Sequence, residues 1–290
     1  MISGTEIRLA MTDTARPTAG AKTDALKLRY GPSAMPAAGP WNATLDVLLG
    51  HRSVRGYTSE PVPAGTLETL IAAAQSAATS SNLQTWSVLS VNDAAKRKVL
   101  MEVANNQKHI TESPIFLCWL ADLSRNGRMA EQEGFTLEGL PYIETFLVAA
   151  IDAALAAQNA VVAAESLGLH TVYIGALRND PERVAKLLEL PPGVVCVFGL
   201  CVGHARAETK SEVKPRLPQS AILFHERYDT SGEAEKRRAY DAEMTAFSKR
   251  HEMSQYTWTE RVKSRLGPLK GMSGRHKLKA ALRSLGFPLS

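Results

Sequence analysis

Apolar and polar positions alternate along the chain in two different periods. After Pro61 and Pro63, residues Leu67, Leu70, Ile71 and Ala74 recur at helical spacing, so Thr66 to Ala78 is an amphipathic helix. Ser87 to Val91 alternates as a short strand, and Asn92 or Asp93 caps a helix that runs through Val103. Ile115 to Ala121 and Val194 to Cys201 are short, continuous apolar runs rich in β formers and read as buried strands. Ile143 to Leu167 is the longest helix, with Gly168 in the position where a left-handed residue ends helices. Its alanines on several faces let other backbones approach closely. Two readings stand for it: an ordinary core helix, or a helix that also faces a second subunit. Shorter signals give a helix over Ala43 to Leu49, a strand over Thr171 to Ile174 and a helix over Pro181 to Leu188. Residues 124 to 141, with several glycines and mixed charge, read as an irregular loop of the kind that forms lids or specificity elements.

These elements divide the chain into three parts. Residues 1–40, rich in Ala, Thr, Pro and Gly without a sustained period, read as a mobile N-terminal extension. Residues 41–228 form the main domain, and residues 229–290 a polar, mostly helical arm. Strands and helices intermix without regular βαβ alternation, which implies an α+β fold.

Composition narrows the class only slightly. With 44% hydrophobic and 22% charged residues, the chain is an ordinary globular sequence and not a disordered one. The net charge of +5 suits an anionic small molecule as well as nucleic acid. Cys118, Cys196 and Cys201 each sit in an apolar run without CxxC spacing, so neither a disulfide framework nor a metal site is expected. Asp152, Gln158 and Asn159 interrupt the most apolar stretch, and the first twenty residues lack an apolar signal core. The expectation is a cytoplasmic protein without membrane contact.

Four stretches carry candidate chemistry. His51-Arg52-Ser53-Val54-Arg55 packs three potential cations and a hydroxyl into five residues, a donor set that suits phosphate and also suits a solvated turn. Lys214-Pro215-Arg216 puts two cations on one side of an extended segment. Thr79 to Trp86 is dense in amides and hydroxyls able to bond a heteroaromatic edge. Tyr173 to Arg178 runs from a strand into a turn where Gly175 lets backbone donors approach a flat ligand.

Taken in order, the phrases HRSVRGYTSEPV, SSNLQTW, QNAVVAAESLGLHTVYIGALRND, VFGLCVGHA and KPRLP resemble the nitroreductase superfamily. The resemblance is strongest to its branch of oxygen-insensitive NADPH nitroreductases and NADPH–flavin oxidoreductases, and runs from about Leu49 to His225. It implies an α+β fold with a mostly antiparallel central sheet flanked by helices, an intertwined homodimer, and FMN at the subunit interface, with the C-terminal arm packing on the dimer. By the same resemblance His51, Arg52 and Ser53 lie near the phosphate and ribityl chain, Arg55 beside the flavin pyrimidine, and Lys214 and Arg216 clamp the phosphate. Thr79 and Gln107 touch the ring or ribityl from the neighbouring lobe or subunit, while Tyr173, Ile174, Gly175, Ala176 and Arg178 run along the flavin. Lys249 and Arg250 are the loosest match, to residues that hold a nicotinamide nucleotide, so NADPH and NADH both stand as reductants.

The resemblance names no catalytic acid or base, since a cofactor does the chemistry. It implies a ping-pong two-electron reductase of nitroaromatics, quinones or other small acceptors, or alternatively a flavin reductase that supplies reduced FMN. Two departures are visible: Ala78-Thr79 and Gln84-Thr85-Trp86 stand where the superfamily has Pro-Ser and Gln-Pro-Trp, and Asn126 to Pro141 is longer than in similar sequences. A reading of another class rests on the C-terminal tail. Arg261 to Arg283 holds eight Lys or Arg and no acid, which fits a nucleic-acid or membrane-surface module as well as a helical arm with a solvated basic face.

Overall fold

The structure is a computed structural model that describes residues 19–254 and 256–290. In chain order the elements are α1 (Ala19–Tyr30), α2 (Ala43–Gly50), α3 (Thr66–Gln75), β1 (Trp86–Ser90), α4 (Ala94–Val103), α5 (His109–Glu112), β2 (Ile115–Asp122) and α6 (Ser124–Glu133). They continue with α7 (Ile143–Ser166), β3 (His170–Ile174), α8 (Pro181–Leu187), β4 (Val194–Gly203), α9 (Glu233–Arg250), α10 (Trp258–Leu266) and α11 (Leu278–Ser284). The four strands form one sheet in the order β1-β2-β4-β3, every pair antiparallel. The α+β fold expected from the sequence is the one observed.

The continuous apolar runs of β2 and β4 have a simple cause: helices cover both faces of the sheet. Ile115, Leu117, Trp119 and Ala121 face α3 and the alanines of α7, whereas Phe116, Cys118 and Leu120 face α4, α5 and α8. In β4 the parity changes midway. Trp119 pairs with Phe198 but Leu120 with Cys196, so Val197 is an extra residue in the ladder. Val195 before the bulge and Val197 within it lie on the α7 side, and Leu200 and Val202 lie on that side afterwards. An inserted residue moves every later side chain to the opposite face, which keeps both halves of the strand apolar on both sides. All three cysteines are buried and unpaired.

α7 is long and apolar enough to span a membrane by length and composition. Its surroundings explain it otherwise. Ala149, Ala153, Ala156, Ala157, Ala160 and Ala164 are buried on the sheet, Asp152 accepts the Ser80 N–H at 3.1 Å, and Asn159 donates to the Ala73 carbonyl at 3.1 Å. Its other face presents Ile143, Leu147, Ile151 and Leu155, spaced by four and exposed.

Two expectations are corrected. Residues 124–141 are not irregular throughout: α6 forms because the Asp122 carboxylate accepts the Ser124 N–H at 3.0 Å and the Arg125 N–H at 3.3 Å, and Gly134 (φ 72°) ends the helix. The cap sits inside the preceding strand, and Ala130 is the helix's one buried residue, so no apolar period marks it. Nor is the whole of residues 1–40 a loose extension. α1 is a 12-residue helix that buries Leu26 and Arg29; residues 1–18 lie outside the described residues. In the C-terminal segment Leu282 and Phe287 enter the core under α7, and the Gly193 N–H donates to the Leu285 carbonyl at 2.8 Å.

Candidate anion and cofactor site

The His51–Arg55 stretch leaves α2 in an extended conformation and attaches to the outer edge of β3. Ser53 bridges Thr171 in parallel fashion, and the Val54 N–H donates to the Thr171 carbonyl at 3.0 Å. Three residues on, the Tyr57 hydroxyl donates back to the Val54 carbonyl at 2.9 Å, and Thr58 N–H reaches the His204 carbonyl beyond β4. Val54 and Tyr57 are buried as anchors, and His51, Arg52, Ser53 and Arg55 around Val54 line a cleft.

There they meet the second cationic stretch. His51, Arg52, Ser53, Arg55, Lys214 and Arg216 line one open cleft of about 350 Å³, together with Arg29, Lys210, Ser211, Glu212, Phe247, His251 and Met253. Six lysine or arginine side chains thus face a single carboxylate, Glu212. The two sequence stretches, more than 150 residues apart, form one site.

Within the cleft the groups divide into anchored and open ones. His51 Nδ1 donates to Glu165 Oε1 at 2.7 Å, and Glu165 also accepts the Thr171 hydroxyl at 3.0 Å, which fixes the imidazole. Arg52 donates to Ser211 Oγ at 3.3 Å and to His170 Nε2 at 2.9 Å, and that last bond requires His170 to be neutral. Burial, then the Arg52 charge, hold the His170 pKa down, consistent with this. Glu212 accepts two bonds from Arg250, at 3.1 and 2.9 Å, so its charge is already engaged. Among the described residues Arg55 makes no ion pair or side-chain hydrogen bond. Among the described residues the Arg216 side chain makes only a long contact of 3.5 Å to the Lys214 carbonyl. Lys214 lies 5.6 Å over the Phe247 ring; burial, then the charges of Arg261, Arg55 and Arg216, push its amine down to about 8. Burial and the neighbouring cations act together on this lysine, and the excess of positive charge in the cleft suits an anion. A phosphate would relieve that repulsion and take the open donors, so the residues present fit a phosphate-bearing cofactor.

The remaining expected residues lie elsewhere. Tyr173 leaves β3 edge-on to Phe198, its hydroxyl 3.3 Å from Gln158, with burial raising its pKa. Ile174 and Ala176 are buried in the core, so only their backbone can meet a ligand. Arg178 is engaged: its guanidinium donates to the carbonyl of Val197, the extra residue of the bulge. Gly175 lies directly above that side chain. Thr79 lines a second cleft of about 320 Å³ with Asn82, Gln84, Trp86 and Arg125. The loop there holds Ser81, Asn82 and Gln84 at positive φ, a conformation that costs energy for such residues. Gln107 sits 3.1 Å from His109, whose pKa burial and then Arg55 push down to about 4. Lys249 is exposed at the end of α9, and Arg250 is held by Glu212 at the rim of the cation cleft. Residue chemistry had not singled out Arg29, Glu165, His170 or Glu212. Glu165 lay within a motif already marked; nothing in the local pattern marked Arg29.

An antiparallel α+β domain whose sheet edge and a distant Lys-Pro-Arg segment build a cationic cleft suits a ligand that carries phosphate. Comparison with known proteins resolves it further. The Nitroreductase family matches residues 48–204, and the Nitroreductase family, C-terminal domain, matches residues 214–290. The chain is 40% identical over 191 residues to an FMN reductase (NADPH) of Bacillus subtilis, covering 66% of this chain and 76% of that protein. It is 35% identical over 225 residues to an oxygen-insensitive NADPH nitroreductase of Salmonella typhimurium, covering 77% and 90%. The solved structure of B. megaterium NfrA2 superposes with a TM-score of 0.80 at 38% identity, covering 86% of this chain and all of the other. The chain belongs to the nitroreductase family.

Proposed function

We infer that this chain is an FMN-dependent NAD(P)H oxidoreductase that passes two electrons to small acceptors such as nitroaromatics or quinones. The observation that carries this reading is the cleft in which Arg55, Lys214 and Arg216 stand without a committed anion, inside the frame of a family with flavin-reducing and nitro-reducing members. In it Lys214 and Arg216 would grip the phosphate, with Arg52 and Ser53 alongside. Glu165 holds His51 in place. Arg55, unpaired, supplies positive charge where a reduced flavin carries negative charge. Tyr173 to Ala176 offer backbone donors along the ring. Bound FMN would supply the redox chemistry, accepting a hydride equivalent from the nicotinamide and yielding it to the second substrate. The chain contributes position, charge and exclusion of water. Neither a protein acid nor a protein base is assigned.

The nucleotide would approach along the α9 end of the cleft, where Lys249 and Arg250 lie. Arg250 must leave Glu212 to meet a phosphate, which argues for no strong bias between NADPH and NADH. We further read the exposed Ile143–Leu155 stripe as part of a homodimer interface, and Thr79 and its cleft as facing the cofactor of the partner. Sedimentation of Ile151→Asp as a monomer would support that reading; an unchanged species would refute it. The helical arm, anchored in the core through Leu282 and Phe287, favours a structural role for its basic face over nucleic-acid binding.

The test is anaerobic rapid mixing of the FMN-loaded protein first with NAD(P)H and then with an acceptor. Flavin absorbance should bleach in the first step and return in the second. A flavin that neither reductant bleaches would refute the reading. Faster return with free FMN than with a nitroaromatic would select flavin reductase as the activity.

A further inference from the structure

α1 lies before residue 48, outside the family match, yet its last turn enters the cation cleft. Gly31, at φ 76°, ends the helix through a 2.9 Å bond from its N–H to the Lys27 carbonyl. A side chain at that position would overlap the Glu243 carboxylate on α9, so glycine both turns the chain and lets α1 sit against that helix. Leu26 is buried beside it, which seats the following turn.

That turn presents Arg29, a buried guanidinium whose partners are all backbone carbonyls. One terminal nitrogen donates to the Lys214 carbonyl at 3.0 Å. The other donates to Leu49 at 2.8 Å and to His51 at 2.9 Å. In return the Arg216 N–H donates to the Arg29 carbonyl at 2.8 Å. Four hydrogen bonds on one residue therefore join the start of the His51–Arg55 stretch to the Lys214–Arg216 segment, beside the Arg52–Ser211 bond just before it. The first hangs on β3 through Val54; the second is held by the Tyr240 hydroxyl, which donates to the Pro215 carbonyl at 2.9 Å. A planar fork can bridge two backbones from two separate nitrogens, whereas a lysine offers its three donors from a single atom and does not reproduce that span.

We propose that Arg29 is a positioning residue of the cofactor site, a brace from the N-terminal helix that sets the spacing between the two cationic halves of the phosphate clamp. The proposal rests on the reading of the cleft as an FMN-phosphate site. Its own content is separate: phosphate affinity in this chain depends on a residue outside the family match. Because the guanidinium is bonded to carbonyls on both sides, it acts through the backbone of His51, Lys214 and Arg216.

The experiment measures the dissociation constants of FMN and of riboflavin, which lacks the phosphate, for flavin-free full-length protein and for Arg29→Lys, Arg29→Met and Arg216→Ala. Arg29→Lys keeps the charge and loses the fork. The expected result is FMN binding weaker by about tenfold in Arg29→Lys, and more in Arg29→Met, with riboflavin binding unchanged. Equal weakening of both flavins would show a general loss of structure and overturn the proposal, as would FMN affinity unchanged in Arg29→Lys. If Arg216→Ala reduces the preference for FMN over riboflavin and the Arg29 variants do not, the brace fails while the clamp stands. If none of the three alters that preference, the clamp reading itself fails.

Discussion

Lys214 offers a quantitative test of the cleft's electrostatics. In the cofactor-free protein its amine sits at about 8, below its ordinary 10.5, because burial and the charges of Arg261, Arg55 and Arg216 oppose protonation. A phosphate dianion at this position favours the charged form and returns the amine toward its ordinary value. Binding therefore takes up a proton wherever the empty site has lost one. The difference between the two values corresponds to about 3 kcal/mol, which solvent screening of a half-buried group reduces to about 2 kcal/mol. FMN affinity should then be level between about pH 7 and pH 8 and fall above it, reaching roughly tenfold to thirtyfold weaker near pH 9.5. Fluorescence titration of flavin-free protein in a constant-ionic-strength buffer series measures this directly. Lys214→Met keeps the stem over Phe247 and removes the charge, so it should bind FMN weakly and without that pH dependence. A wild-type affinity that stays level to pH 9.5, or a slope that survives in Lys214→Met, would refute the reasoning.

Arg216→Ala removes a charge-assisted phosphate donor and should weaken FMN binding by about 1.5–3 kcal/mol, read as a higher dissociation constant and faster flavin loss on dilution. His109 is buried with its pKa pushed down to about 4, so the unfolded chain binds the extra proton between that value and its ordinary 6.5. Stability from this group is present above about pH 6.5 and lost as pH falls toward 4, by about 3 kcal/mol, and urea unfolding of wild type against His109→Gln should show the difference. Arg178→Met leaves the Val197 carbonyl of the bulge without its donor and should lower stability by about 1–3 kcal/mol in thermal or urea unfolding, even in flavin-free protein.

What could be read from the sequence follows what is local. β2 and β4 were legible because helices bury both their faces, and α4 because Asp93 caps it at Lys96. α6 was not, since its capping carboxylate, Asp122, belongs to the preceding strand and its surface is polar nearly all round. α1 was missed for a related reason: it is held by Leu26 and by one arginine bonded to carbonyls far along the chain, and neither leaves a period. At the site, residue chemistry marked the two cationic stretches individually. Their meeting depends on the β3 edge and on α9, across more than 150 residues, so only the order of motifs linked them in advance. Arg178 was marked through its motif alone, and its side chain donates to the carbonyl of a β-bulge that no single-sequence pattern reveals.

The central claim, that this cleft holds FMN by its phosphate, is tested most directly by titrating flavin-free protein with FMN and with riboflavin under identical conditions. One FMN should bind per chain, and riboflavin should bind weaker by roughly a hundredfold, the loss of two charge-assisted donors. Equal affinity for the two flavins, or binding of neither, would contradict it.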